Sequence, residues 1–137
     1  MSPIKIREGE KIFGELDDVN ELIFIREGSY KVGFTINNKE KYVISLPTKT
    51  YPAGSTILGG FECSYDKRSK FIYRSQNTLK GYFIRKQKWK KIADDFPEFS
   101  QDMRRKLLER YYNIILPLVK MAKNQEIEKY QNRADFK

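Results

Sequence analysis

A chain of 137 residues with 39% hydrophobic and 14% aromatic residues is long enough for one domain with a substantial core. It has no histidine and a single cysteine, Cys63, which excludes a zinc site, a histidine-based acid–base mechanism and an internal disulfide, and favours a reducing, cytoplasmic setting. The formal net charge of +9 favours contact with polyanions or an acidic membrane surface. No DNA-binding motif accompanies that charge, so sequence-specific nucleic-acid binding is not expected.

The first 85 residues show short strand-like runs separated by tight turns. Leu22-Ile23-Phe24-Ile25 is a continuous apolar run of strand length, and the alternation from Tyr30 to Phe34 predicts a second strand that forms a hairpin with it. Asn37-Asn38 is a further turn signal. Other strands are predicted at residues 12–13, 42–46, 71–73 and 79–84. This spacing is typical of an antiparallel barrel or jelly roll.

The pattern becomes helical at Lys86. A short amphipathic helix around Trp89 is expected to end at Asp94-Asp95-Phe96, and Pro97 is well placed to begin a long helix. Pro117 is expected to kink or end that helix. Its apolar positions recur at three- and four-residue steps: Phe99, Met103, Leu107, Tyr111, Ile114, Leu118 and Met121.

The predicted fold class is therefore α+β, an antiparallel β-roll followed by a short helix and a long C-terminal helix. We assign the roll to residues 4–85 and the helices to 86–123, which together form one domain over residues 1–123. Residues 124–137 are expected to be a polar, partly disordered tail, with Tyr130 and Phe136 as its anchors.

The stretch from Ala53 to Ser75 carries the residues best suited to bind a ligand. Gly59 and Gly60 let the backbone approach a ligand closely, and Arg68 offers a planar set of donors to an anionic oxygen. Such a loop can hold a single phosphate, although a solvated loop between strands has the same composition. The Asp17-Asp18 and Asp94-Asp95 pairs fit a turn and a helix end better than acid–base dyads, so enzymatic activity is not expected.

Four segments carry a resemblance to a known family. They are Arg7-Glu8-Gly9-Glu10-Lys11-Ile12-Phe13, the run from Glu21 to Val32, Pro52-Ala53-Gly54-Ser55, and the helical end from Trp89 to Phe99 with its Phe96-Pro97-Glu98 junction. From residue 6 to about residue 112 the chain resembles a cyclic nucleotide-binding domain, especially the version found in potassium and other cation channels. The resemblance implies a cytoplasmic regulatory domain of a membrane-embedded channel. Its partners would be the channel's transmembrane domain and its sister subunits, arranged as a tetramer.

The family's phosphate cassette reads Phe-Gly-Glu, a short helix, and then Arg followed by a small residue and Ala. Gly59 falls at the glycine position and Arg68-Ser69 at the Arg-Ser position, so the resemblance implies that they hold the phosphate of cAMP or cGMP. Gly60 replaces the ribose-binding glutamate, and Glu62 could supply that carboxylate only if the backbone shifts by two residues. Lys70 replaces the small alanine and is expected to crowd the pocket.

Two alternatives follow from these departures. A channel-type domain of this family can fill its pocket with its own residues, and Tyr112, Tyr130 or Phe136 could do so here. A degenerate roll could instead serve only as a scaffold or interaction module in a larger assembly. In the regulatory interpretation, Leu107, Tyr111 and Ile115 form the face of a lid helix, although the same residues would serve equally as core contacts.

Overall fold

The computed structural model of the chain describes residues 1–46 and 57–135, without the side chains of residues 130 and 132–135. The predicted turn at Pro52-Ala53-Gly54-Ser55 and the predicted anchors Tyr130 and Phe136 therefore lie outside what is described. None of the described helices is both long enough and apolar enough to cross a membrane.

In the described parts of the roll the strands form two four-stranded antiparallel sheets. One sheet has the strand order β1-β8-β3-β6 and the other the order β2-β7-β4-β5. Their core is a cluster of fully buried side chains that includes Tyr30, Val32 and Phe34. The strands are β1 (Ser2–Ile6), β2 (Lys11–Phe13), β3 (Glu21–Glu27), β4 (Tyr30–Ile36), β5 (Lys39–Leu46), β6 (Ile57–Leu58), β7 (Ile72–Ser75) and β8 (Leu79–Arg85).

The predicted hairpin between β3 and β4 is wrong in its pairing. β3 pairs with β6 and β8, whereas β4 pairs with β5 and β7, so the chain crosses from one sheet to the other at Gly28-Ser29. The hairpin in this region joins β4 and β5 at Asn37-Asn38, where both residues adopt positive φ. Asparagine tolerates that conformation better than most residues, which agrees with the turn predicted there.

The described residues also form five helical segments, one of them between β6 and β7 and the others after β8. Pro97 begins the long helix as predicted, directly after the short helix that contains Trp89. The predicted domain boundary at residue 123 falls inside the last helix. The segments are α1 (Gly60–Tyr65), α2 (Lys86–Asp95), α3 (Pro97–Arg110), a π-helical segment (Tyr111–Ile115) and α4 (Leu116–Asp135).

Pro117 was expected to kink or end the long helix, and the helix does not end there. The backbone N–H of Leu116 donates to the carbonyl of Tyr111, five residues earlier, so the irregularity is a wider π-helical turn just before the proline. The buried face then continues through Ile115 and Val119, and the predicted positions Leu118 and Met121 are more exposed. The buried residues of this helix are four positions apart, so on a regular α-helix of about 3.6 residues per turn they would drift gradually around its surface. The wider π-helical turn offsets this drift and keeps the later buried residues on the face that contacts the roll.

Gly59 and Gly9 allow a matched test of the backbone that precedes α1. Both have φ +78°, but a Cβ added at Gly59 would lie 2.5 Å from the carbonyl oxygen of Glu21, whereas one at Gly9 would meet nothing within 4 Å. We expect Gly9→Ala to lower the free energy of unfolding by about 1–2 kcal/mol through the left-handed conformation alone. Gly59→Ala should cost about 1–3 kcal/mol more because the backbone must move. Urea denaturation measures both values, and equal losses would contradict the contact at Gly59.

Candidate functional site

The predicted cassette, residues 59–69, lies between β6 and β7. Gly59 adopts a left-handed conformation and caps α1, which runs from Gly60 to Tyr65. The chain then returns to the sheet through Ser69, which is fully buried. The Oγ of Ser69 donates to the carbonyl of Phe71 (2.8 Å), and its backbone N–H donates to the carbonyl of Asp17 (3.0 Å). These bonds fix Ser69 within the fold.

Arg68 points away from the interior. Its side chain is 68% exposed, and its Nε lies 3.2 Å from a carboxylate oxygen of Asp18. Lys70 is also exposed, so the expectation that Lys70 crowds the pocket is wrong. Ser69 is buried between two exposed cations, Arg68 and Lys70. The cassette therefore presents its cations to solvent.

Glu62 is the acid inside the cassette. It lies on α1 and is 4% exposed. In the described part of the chain, no lysine or arginine nitrogen lies within ion-pair distance of its carboxylate. Burial raises the pKa of its carboxyl to about 7 because the charged form loses its hydration. The same carboxyl contributes to the raised pKa values of Tyr73 and Tyr111, whose main cause is their own burial.

The three predicted lid residues do meet the cassette. Leu107, Tyr111 and Ile115 line the same small cavity as Gly59, Gly60 and Glu62. Leu107 approaches Gly60 so closely that a Cβ built on that glycine would lie 2.7 Å from a methyl group of the leucine. Because position 60 has no side chain, Leu107 can pack directly against the backbone of α1.

Aromatic stacking completes the contact between helix and cassette. The ring of Tyr111 stacks on that of Phe61 with centroids 4.0 Å apart and planes 8° apart. Tyr112, predicted as one possible filler of the pocket, is 50% exposed and meets the same ring edge-on at 5.7 Å. The aromatic residues buried between helix and cassette are thus Tyr111 and Phe61.

The space left between the cassette and the helix is a cavity of about 20 Å³. Arg110 also lines it and has no acid within ion-pair distance among the described residues. Partial burial lowers the pKa of this guanidinium. A cavity of this size holds about one water molecule.

Sequence reasoning missed Phe61 and Arg110 as members of this site. Phe61 directly follows the glycine pair and could have been recognised as an aromatic group on α1. Arg110 is not one of the apolar positions of the helical pattern, and only the position of α3 against α1 brings it to the cavity. Within residues 1–46 and 57–135, no three acidic or cysteine side chains lie close enough together to hold a metal ion.

Comparison with known proteins gives likeness in structure only. No protein-family model matches the sequence, and no curated protein matches it. The cAMP-bound form of the EAL enzyme Bd1971 matches with a TM-score of 0.60 and 18% identity, over 96% of this chain and 33% of that one. The N-terminal domain of a transcriptional regulator from Streptomyces coelicolor A3(2) matches with a TM-score of 0.61 and 16% identity, over 82% and 74% of the two chains.

A third solved structure, the regulatory domain of Toxoplasma gondii PKA with cAMP, matches with a TM-score of 0.59 and 16% identity, over 79% of this chain and 39% of that one. At these identities the likeness defines the fold, which is the β-roll of cyclic nucleotide-binding domains followed by helices. The predicted fold class is confirmed. The match covers 33% of the length of the Bd1971 chain.

Proposed function

We propose that this chain is a regulatory domain of the cyclic nucleotide-binding-homology type whose site is closed from within by its own C-terminal helix. The observation that supports this most is the position of Leu107 and Tyr111 against Gly60 and Phe61, with a remaining cavity of about 20 Å³. A site for a small-molecule ligand needs roughly 300 Å³ or more. In this proposal the helix occupies the place that a nucleotide would take.

The regulated step is the movement of α3 and the π-helical segment relative to the cassette. Side chains such as Leu107 hold the two parts together, and a conformation with the helix withdrawn would expose Gly60 and Glu62. Anything that binds the withdrawn conformation better shifts the population toward it. Cyclic AMP and cyclic GMP are the compounds against which the closure is tested, because solved forms of the similar Bd1971 contain one or the other.

The sequence resemblance supports the setting that we propose for this domain. It lies on the cytoplasmic side of a cation channel, and the helix transmits its movement to the transmembrane domain and to sister subunits in a tetramer. The domain itself carries out no chemistry. Its net charge of +9 would also favour contact with an acidic membrane surface.

Isothermal calorimetry of the purified chain against cAMP and cGMP tests the internal closure. We expect no saturable heat up to about 1 mM nucleotide, which corresponds to binding weaker than about 4 kcal/mol. Arg68→Ala tests the predicted phosphate partner, and Lys67→Ala is the matched control, since it removes a neighbouring exposed cation. Arg110→Ala tests the guanidinium that lines the cavity.

Saturable binding by the wild type would overturn the internal closure. Loss of that binding in Arg68→Ala but not in Lys67→Ala would then make Arg68 the phosphate partner and the domain a ligand-gated regulator. Loss in Arg110→Ala alone would instead assign the phosphate to the lid helix. Absence of heat in all four proteins is the result that the proposal expects.

A scaffold or interaction module is the second candidate function. It is favoured by the exposed rings of Phe96 and Phe99 at the α2–α3 junction, which are 62% and 56% exposed. Neighbouring exposed aromatic residues are a feature of protein-binding surfaces. If the domain is a scaffold, replacing both phenylalanines with serine should abolish partner binding and leave the contact between helix and cassette unchanged. If it is a regulatory domain, partner binding should depend on whether the helix is closed over the cassette.

A further inference from the structure

A groove lies on the exposed face of the sheet that contains β1, β8 and β3. It has a volume of about 370 Å³, which falls within the usual range for small-molecule sites, whereas the cavity at Gly60 has about 20 Å³. The groove plays no part in the proposed function. The residues that matter for its chemistry are Pro3 and Lys5 of β1, Arg26 and Glu27 of β3, and Lys80 and Tyr82 of β8.

Three cations line this groove, one from each of three neighbouring strands. Lys5 and Lys80 lie directly opposite each other in the register of β1 and β8, and Arg26 belongs to β3 on the other side of β8. All three residues are exposed, so a ligand in the groove can reach them. Like charges directly opposite each other on antiparallel strands destabilise a sheet. Fold stability alone therefore does not favour this arrangement.

The described acids leave these cations without an ion-pair partner. No carboxylate in the described part of the chain lies within ion-pair distance of Lys5, Lys80 or Arg26. Glu27 lines the groove and lies opposite Lys80 in the strand register, but the two side chains do not form an ion pair. The positive charge of the groove is thus available to an external anion.

Arg26 reaches the groove at an irregular point of the sheet. Ile25 lies opposite Gly81 and Glu27 lies opposite Lys80, so Arg26 has no direct partner on β8. An extra residue in one strand redirects side chains locally, and such irregularities are common beside functional sites. Here the irregularity adds a guanidinium, with its planar set of donors, to the two lysines.

We propose that this groove binds the phosphate group of a small organic phosphomonoester through Lys5, Arg26 and Lys80. The three cations and Glu27 together leave two positive charges in the groove. A phosphomonoester carries a charge of about −1.5 to −2 at pH 7 and matches them, whereas a carboxylate carries only one negative charge. The ring of Tyr82, 39% exposed, lines the same groove and offers a surface to an aromatic part of the ligand. The proposal does not depend on nucleotide binding at the cassette or on helix closure.

Phenyl phosphate is the probe for the test, because it joins a phosphomonoester to a flat ring. The measurement follows the backbone ¹H–¹⁵N signals of Gly81 and Tyr82 while the full chain is titrated at about pH 7.5 and constant ionic strength, where the probe is mainly a dianion. Phenyl sulfate has a similar shape and a single negative charge, so it tests whether a dianion is required. Cosedimentation with phosphatidylcholine vesicles that contain phosphatidic acid tests whether the phosphate belongs to a lipid headgroup instead.

Lys80→Gln and Arg26→Gln each remove one of the groups that bind the phosphate. Both residues are exposed, so both variants should remain folded. Lys39→Gln is the matched control, because Lys39 is an exposed lysine on β5 of the other sheet and forms no ion pair with the described residues. Arg68→Ala tests whether the probe binds at the cassette instead.

We expect both signals to shift saturably with phenyl phosphate in the wild type and in Lys39→Gln. The affinity should fall about tenfold or more in Lys80→Gln and in Arg26→Gln, and phenyl sulfate should bind the wild type at least about tenfold more weakly. Unchanged affinity in both groove variants, or loss of affinity in Arg68→Ala, would overturn the groove as the site. Equal affinity for phenyl sulfate would overturn the assignment of a phosphomonoester. Binding to the vesicles without a saturable response to phenyl phosphate would overturn the small-molecule ligand.

Discussion

Tyr111→Ala is expected to lower the free energy of unfolding by about 3–5 kcal/mol. Tyr111 is 5% exposed, and its ring stacks on Phe61 and approaches Phe71, so truncation removes buried contacts on the cassette and on the sheet side. The same change opens space next to the cavity of about 20 Å³ at Gly60, which neighbouring side chains can fill only in part. Urea denaturation followed by the fluorescence of Trp89 measures the loss.

Tyr112→Ala is the matched control for this prediction. Tyr112 is 50% exposed and touches Phe61 only edge-on, so its removal should cost about 1 kcal/mol. The two variants remove the same atoms from adjacent positions and differ only in what the rings contact. Similar losses in both would show that Tyr111 does not hold the helix against the cassette.

The stability of the protein is expected to fall by about 3 kcal/mol as the pH rises from about 4.5 to about 7, because of Glu62. The pKa of this buried carboxyl is about 7 in the folded protein, whereas in the unfolded chain it is about 4.3. Between these values the folded state keeps a proton that the unfolded state has lost. The stabilisation is therefore complete below the lower value and disappears as the pH passes the upper one.

Glu62→Gln should remove this pH dependence, because glutamine imitates the protonated acid throughout. The chain has no histidine, so no side chain has an ordinary pKa inside this interval. Asp66, whose pKa the hydrogen bonds from Lys86 and Lys90 lower to about 2, titrates below the interval. Urea denaturation at pH 5, 6, 7 and 8 makes the measurement, and Glu98→Gln, which removes an exposed carboxylate, should keep the wild-type slope. An unchanged slope in Glu62→Gln would place the titrating group elsewhere.

The sequence predicted whether a segment is a strand or a helix better than it predicted which strands pair with each other in the sheets. The alternation from Tyr30 to Phe34 correctly indicated a strand with one buried face, but alternation carries no information on which strand lies beside it. Proximity along the chain favoured a hairpin with residues 22–25. In the structure the turn at Gly28-Ser29 instead passes between the two sheets, because each strand packs its apolar face into the shared core from a different side.

The sequence indicated which loop carries the candidate site, but not how α3 packs against that loop. The glycine pair and the Arg-Ser pair match the cassette positions that the resemblance implies for residues 59–69, and their role in binding stays a prediction. That Arg68 faces Asp18 and that Arg110 lines the cavity depend on where the loop and α3 lie in three dimensions. The helical pattern also gave Leu107, Tyr111 and Ile115, which are buried in the structure. It placed Ile114 and Leu118 on the same face, whereas after the π-helical segment the buried position is Val119, which the pattern did not give.

The close approach of Leu107 to Gly60 also restricts how this sequence can evolve. A Cβ at position 60 would lie 2.7 Å from a terminal methyl group of Leu107, so a side chain at position 60 requires that leucine to change its rotamer or to be replaced. A substitution at position 60 alone therefore tends to overpack this contact, and a smaller residue at position 107 alone leaves a void. Residues at these two positions should therefore covary among relatives of this chain, and the small residue at position 60 should accompany the large apolar one at position 107.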